Sequence, residues 1–410
     1  MTECIVVGAG IAGLSAAWYL QERGVSVTVV DRAGAGQAAS WGNAGQVNPA
    51  FTVPLPAPGQ VRYALRSVVD RRGSLLIPLT LDPTWWKFIL QFSRHCTKRR
   101  WRRAMSILTT LTEISLEEYR RLGDNETIPR VHHERPLLVA CRKEREAAHM
   151  IQEFDSVNRY HPVRYEVAAG AELREIAPYL SQDVKIGMKV FDQNYLDPRA
   201  VTGSLCKAIR QRGGKLYENT PVREVVEVGD RVQARTAAGD SLEAETAVLA
   251  TGAWLPGLSG RHGVRRPVQA GRGYSFSVDL GYRPEHAVYL PGANVVCTPL
   301  QDRLRVTGLM DLRHPAAPSA PRAISRIVQG AAPVFSGVDW KARTAQWCGA
   351  RPLTPDGLPL VGRTASPRVF ISGGHGMWGF THGFATSRLL ADLIVGKDVP
   401  DWLNTLSPTR

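Results

Sequence analysis

Two glycine-rich stretches hold the residues best suited to chemistry, GAGIAG at 8–13 and GGHGMWG at 373–379. In the first, Gly8 permits a tight turn after a strand. Gly10 lets a pyrophosphate approach the backbone where Ile11 and Ala12 open a helix, and Gly13 lets that helix pack closely on the strand. Asp31, followed by Arg32, stands where an acidic side chain takes the ribose hydroxyls of an adenosine half. The chemistry is dinucleotide binding. If these glycines only shaped a turn, Asp31 would be a coincidence.

The elements that must position these residues follow from the flanking pattern. Ile5–Val7 is a short apolar run, Ile11–Gln21 a helix with alanines where backbones approach, and Val25–Val30 a β-branched strand, which completes a βαβ unit. Small residues fill Ala33–Pro49, and a proline-rich crossing follows. Apolar residues recur at helical spacing from Trp101 to Leu122 and from Ala147 to Val157, with a strand expected at Pro136–Arg142 between them. The βαβ logic returns with a helix over Arg199–Gln211 and strands at Lys215–Tyr217 and Val222–Val228, then a hairpin ending in the buried run AVLATG. Arg265–Asp311 is strand-rich, and the last section reads strand, glycine turn, helix. The expected fold class is therefore α/β, a Rossmann-like domain interleaved with a mixed-sheet α+β substrate domain. The first takes residues 1–50, 198–262 and 346–410; the second takes 51–197 and 263–345, with a helical, basic insertion near 85–122.

NAD and FAD share the first motif, so the choice rests on the rest of the chain. A flavin reductase with a pyridine-nucleotide domain needs a second fingerprint, and none is found. Gly373, Gly374, Gly376 and Gly379 keep a turn flush against something flat, at a helix N-terminus aimed at partial negative charge. The N1–C2=O edge of an isoalloxazine is such a target, and the small-residue loop Ser40–Gln46 would lie against the same ring. The cofactor is expected to be FAD.

The bulk composition narrows the class. The 410 residues are 44% hydrophobic, enough for two or three domains, and carry a net charge of +14. The six cysteines stand apart, with no CxxC pair or Cys/His cluster, so reduced thiols and no metal site are expected. No apolar run reaches the ~20 residues of a membrane span, and the fingerprint begins too early for a removable leader. Residues 85–104 place Lys87, Arg94, Lys98, Arg99, Arg100, Arg102 and Arg103 beside Trp85, Trp86, Phe88, Ile89, Phe92 and Trp101. That mixture suits an anionic bilayer surface. Inward packing of the aromatics is the plainer alternative, and nucleic acid the least favoured one. A cytoplasmic location is expected, with peripheral contact at the inner face of the cell membrane.

With these residues assembled, the chain resembles the D-amino-acid dehydrogenase branch of the D-amino-acid oxidase superfamily over essentially its whole length. The matching stretches include VVGAGIAGLSAAWYL, ASWGNAGQVNPAF, DPTWWKFILQFSRHCT, VLATGAW, CGARPLTPDGLPLVGR and ISGGHGMWGFTHG. The resemblance implies that Ser40, Asn43, Ala44, Gly45 and Gln46 contact flavin or pyrophosphate and that Val222 presents its backbone to adenine. It also implies that Thr251 and Gly252 close over the cofactor, and that Gly374, Gly376, Met377, Trp378, Gly379, Phe380 and Thr381 line the flavin. Arg351 inherits the grip on the substrate carboxylate, with service to a structural carboxylate such as Asp356 as the alternative. Relatives often add a tyrosine from the substrate sheet. The matching strand here has none, which leaves Tyr289 and Tyr274 as candidates.

The implied reaction is oxidative deamination of a D-amino acid to a 2-oxo acid and ammonia, by hydride transfer to flavin N5, with a quinone-type electron acceptor. Orientation carries much of such a rate. Oxidation of glycine, sarcosine or an imino acid, amine oxidation in a tailoring pathway, and a tRNA-modifying flavin domain are the alternatives. His375 is a candidate base, with a mere hydrogen bond in the turn as its alternative. Cys348 is a candidate flavin tether, but a buried core thiol is preferred, so non-covalent FAD is expected.

Overall fold

The computed structural model describes residues 2–69, 73–78, 80–132, 135–280, 282, 284–301 and 303–410. A six-stranded sheet runs in the order Leu360–Arg363, Val369–Gly373, Thr246–Leu249, Glu3–Val7, Ser26–Val30, Lys215–Tyr217. It is parallel throughout except at the Leu360–Arg363 edge. Its central strands are buried Val, Ile and Leu runs because both faces are covered, one by helices that include Ile11–Glu22 and Gly379–Ile394 and the other by the three-stranded antiparallel sheet Val222–Val228, Arg231–Thr236, Ser241–Ala244. Three chain segments far apart in sequence supply this sheet.

The second sheet has nine strands and is mostly antiparallel. Its central ladder pairs Gln269–Val278 with Arg343–Leu353 on one side and with Arg303–Asp311 on the other. Val295–Leu300 continues beyond, followed through Val288–Leu290 by Leu137–Cys141 and its neighbours.

Two expectations about domain membership are corrected. A boundary at 346 would cut the strand Arg343–Leu353, all of which belongs to the substrate sheet. The helix Lys98–Asp124 is not an appendage of the substrate domain either. Its apolar stripe of Ala104, Leu108, Leu111, Tyr119 and Leu122 joins the core of the helices Ile11–Glu22 and Gly379–Ile394. The deciding interaction is polar. Burial opposes ionisation of Glu118, but a 2.6 Å hydrogen bond from the Tyr19 hydroxyl and others from Arg388 and Arg121 outweigh it and hold the carboxyl below its ordinary range. A surface-looking helix is thus tied to two cofactor-domain helices.

Candidate active site

The first glycine stretch is explained by its neighbours. Gly8 sits at φ +109°, and a Cβ there would overlap the Ala250 carbonyl; one at Gly13 would overlap the Gly8 carbonyl. Gly10 caps the helix Ile11–Glu22 with no side chain, so the amides of Ala12 and Gly13 have no partner within the helix. The Ile11 amide donates to Ser40 Oγ at 2.9 Å, which docks the small-residue loop on the helix start. Asp31 accepts the Ala9 and Ala33 amides at 2.7 and 2.8 Å, which leaves lone pairs on each oxygen for ribose hydroxyls. The Arg32 guanidinium lies 3.5 Å from the Trp254 ring centre, and Val222 begins its strand nearby in sequence to the Asn219–Thr220 turn that bonds back to Ala33 and Asp31. Gly252 adopts φ +57°, and the buried Thr251 hydroxyl has no hydrogen-bond partner. An uncapped helix start, bare glycines and an orphaned hydroxyl suit a dinucleotide.

The loop and the second turn form one wall. Asn43 Oδ1 accepts the Gly45 amide at 2.8 Å and holds Gly45 at φ +72° against Leu196. Thr298 donates to the Ala44 carbonyl and accepts from Gln46 Nε2, at 2.7 and 2.8 Å, and Ser275 donates to the Gly42 carbonyl at 2.8 Å. Gly374 and Gly376 adopt φ +67° and +58° and lead through the short turn Gly376–Trp378 into the helix that starts at Gly379. Phe380 is buried, and its carbonyl accepts from Tyr119 at 2.6 Å; the Thr381 hydroxyl reaches the Gln46 carbonyl at 3.4 Å. Trp378 Nε1 donates to the Val53 carbonyl at 2.9 Å, which fixes the indole as part of the cavity wall beside Met377.

Between this wall and the substrate sheet lies a cavity of about 2420 Å³, lined by Asn43, Gln46, Tyr289, Trp347, Arg351, Met377 and Trp378 among others. Arg351 is half-buried at its floor. Its guanidinium lies flat against Gly273, where a Cβ would overlap it. Nη1 donates to the Leu309 carbonyl at 3.1 Å. Leu309 is at φ +66°, at a point where the register with Gln269–Val278 gains an extra residue, and this bulge aims the carbonyl. Burial lowers the Arg351 pKa to about 10, so it remains a cation at neutral pH. Among the described residues no carboxylate pairs with it. Asp356 is instead held by Arg410 at 3.0 and 3.1 Å and by Arg266 at 3.3 Å, which removes the structural alternative.

A family model described as DAO, FAD dependent oxidoreductase, matches residues 3–393. The chain belongs to the DAO family of FAD-dependent oxidoreductases. DAO-family relatives named D-amino acid dehydrogenase include one from Methylobacterium radiotolerans, 32% identical with 96% of each chain covered. Another, from Vibrio vulnificus, is 30% identical with 96% of each chain covered. Among solved structures, a glycine oxidase from Geobacillus kaustophilus shares the fold, with a TM-score of 0.75 at 20% identity over 100% of this chain and 99% of that one. FAD is the cofactor of this DAO-family chain, and when bound it supplies a two-electron acceptor.

The structure brings Arg351, Tyr289, Met377, Trp378, Asn43, Ala44 and Gln46 to one cavity and corrects two candidates. His375 is buried and faces the helix Gly379–Ile394 that follows it, with Nε2 2.9 Å from Thr386 Oγ1; burial lowers its pKa to about 4, and the ring braces the turn from behind. Tyr274 is buried on the far face of the sheet. Its hydroxyl donates to Asp311 at 2.8 Å and accepts the Ala320 amide, so nothing is left for a substrate. Tyr289 lines the cavity and donates to Asn294 at 3.2 Å. Cys348 points away from the Trp347–Arg351 face, packs half-buried against the core of the substrate sheet and takes a 3.1 Å contact from Arg272. Gly273, Leu309 and the polar row Ser275, Thr298, Arg305 and Thr307 were not singled out from sequence. The alternation of polar residues in GYSFSV and RLRVTG was the available signal.

Proposed function

We propose that this FAD-dependent oxidoreductase oxidises a free D-amino acid to its 2-oxo acid and passes the electrons to a quinone-type acceptor. The observation that carries the reading is the half-buried Arg351 guanidinium, opening onto the cavity with no carboxylate paired to it among the described residues. A planar guanidinium matches a substrate carboxylate in two parallel hydrogen bonds and so fixes the position of the α-carbon. The rigid indole of Trp378 and the Met377 side chain then limit the room for the substrate side chain and exclude water. With His375 turned away, no side chain is assigned as base; the amine must arrive neutral, and orientation does the rest. The D-configuration and the dehydrogenase assignment draw support from the relatives at about 30% identity.

The acceptor reading draws on the rim. Leu65, Leu81, Trp86 and Leu90 are large, apolar and more than half exposed, with Arg62, Arg66, Lys87 and Arg94 close in sequence. The expected segment divides, because Trp85 and Phe88 pack inward while Trp86 and Leu90 face out. No helix among the described residues is long and apolar enough to cross a membrane. A surface contact with anionic lipid is the arrangement such a rim supports.

One experiment tests both halves. Anaerobic mixing with D-amino acids is expected to bleach the yellow absorbance, L-enantiomers are expected to leave it, and anionic vesicles carrying a quinone should then restore the colour. Bleaching by glycine, sarcosine or prolines alone would replace the substrate assignment, and return of colour only on admitting air would replace the acceptor.

A further inference from the structure

The sheet face that floors the cavity carries a row of polar side chains, set by register. Trp347 pairs with Ser275, Ser275 with Thr307, and Thr307 with Val296, so these four side chains share one face; Arg305 and Thr298 form the next rung. Most of this polarity is already used. The Ser275 hydroxyl donates to Gly42 and accepts from Arg305 Nη2 at 2.6 Å, and that of Thr298 lies between Ala44 and Gln46. Thr307 differs. It is 6% exposed and lines the cavity, and its hydroxyl has no hydrogen-bond partner among the described residues. Two residues further along the same strand is Leu309, whose carbonyl anchors Arg351.

A buried hydroxyl left without a partner is costly, and such an orphan in a cavity wall is satisfied when a ligand arrives. The chemistry of that ligand follows from what Arg351 leaves undone. A carboxylate offers about four lone-pair sites, and one guanidinium edge takes two. The hydroxyls of Tyr274 and Tyr289 are engaged with Asp311 and Asn294 and do not supply a further donor.

We propose that Thr307 is a substrate-binding residue, whose hydroxyl donates a hydrogen bond to the carboxylate held by Arg351. The proposal rests on the reading of Arg351 as the carboxylate anchor. The hydroxyl completes the site on the sheet side, and it fixes the rotation of the carboxylate about its bond to the α-carbon, which the arginine alone leaves less constrained.

The test uses the FAD-loaded protein and propionate, a carboxylate with no amine to oxidise, titrated through the change it causes in the visible flavin absorbance. Four proteins are compared: wild type, Thr307→Val, Thr307→Ser and Arg351→Lys. Thr307→Val should weaken propionate about ten- to a hundred-fold, with Thr307→Ser close to wild type and FAD content unchanged in both. The same variant should raise KM for the amino acid with a smaller change in kcat. Its thermal midpoint without ligand should equal or exceed that of wild type, because an unsatisfied hydroxyl has been removed. Wild-type propionate affinity in Thr307→Val, with Arg351→Lys weakened, would overturn the proposal while leaving the Arg351 reading intact. Undiminished binding in Arg351→Lys would overturn that reading and the proposal with it. Loss of FAD from Thr307→Val, restored in Thr307→Ser, would assign the hydroxyl to the cofactor instead.

Discussion

The cofactor end and the substrate end of the cavity are built in opposite ways. At the cofactor end, Gly8, Gly13, Asp31 and the amides of Ala9 and Ala33 fall within a stretch of the chain from 8 to 33, against which Ala250 and the second glycine turn are brought from further along. Each residue there answers a steric demand from a backbone close by. At the substrate end, Arg351 lies on Gly273 and bonds to Leu309; Ser275 shares the strand of Gly273, Arg305 and Thr307 share that of Leu309, and Thr298 comes from a further strand. Their association depends on strand register. A local motif tolerates little change because the clash is with backbone. A register-built face has side chains that can yield, so damage there should be graded and functional rather than structural.

The sharpest contrast is expected from Gly13→Ala. The new Cβ would overlap the Gly8 carbonyl, a backbone group that cannot give way cheaply, with the Ala250 Cβ 3.3 Å away. A loss upward of about 3 kcal/mol is expected, with protein recovered free of yellow colour. Urea unfolding and the FAD content of the purified variant check it. Normal FAD content would mean that the helix start is not where the pyrophosphate binds.

The second turn belongs to the cofactor end but is held from behind by titratable groups, and pH exposes it. Burial lowers His375 to about 4 and His382 to about 3, whereas an unfolded histidine titrates near ~6.5. Between those limits the unfolded chain binds more protons, so stability rises with pH there and is lost on acidification from about 6.5 towards 4. His375→Gln can keep the hydrogen bond to Thr386 while removing one proton from that balance. Its unfolding free energy should fall less than that of wild type on acidification, by on the order of 2 kcal/mol. Urea midpoints across that range measure it, and an unchanged slope would place a solvated imidazole at this position.

The same division explains what could be read from the sequence. The βαβ unit, the glycine turn and the strands Lys215–Tyr217 and Val222–Val228 were legible because period and glycine placement are local signals. Arg351 was legible through a motif, RPLTPDG, and not through its neighbours. Tyr274 and Tyr289 could not be separated, because facing Asp311 or the cavity depends on pleat and bulge position, and the bulge at Leu309 has no glycine to announce it. His375 stands among glycines and looks available; only the helix that follows shows that Thr386 takes it. The helix Lys98–Asp124 reads as a basic insertion because its N-terminal run of Lys and Arg dominates the sequence, whereas inward residues further along, Tyr119 and Glu118 among them, decide where it packs.

The smallest effect should come from Gly273→Ala, and it is the most discriminating. The added methyl group meets the Arg351 guanidinium, the far end of a flexible side chain, rather than backbone. The fold and FAD content should therefore survive, in contrast to Gly13→Ala, although both changes add one carbon to a glycine. What shifts is the aim of the guanidinium. Its hydrogen bond to Leu309 must break or lengthen, and KM for the amino acid should rise about ten-fold, equivalent to ~1.4 kcal/mol, with kcat falling as misplacement of the α-carbon carries into the reaction. Steady-state kinetics beside an FAD absorbance ratio separates the two effects. Loss of FAD along with the rise in KM would show that the substrate face also holds the cofactor, and that the two ends are less independent than their construction implies.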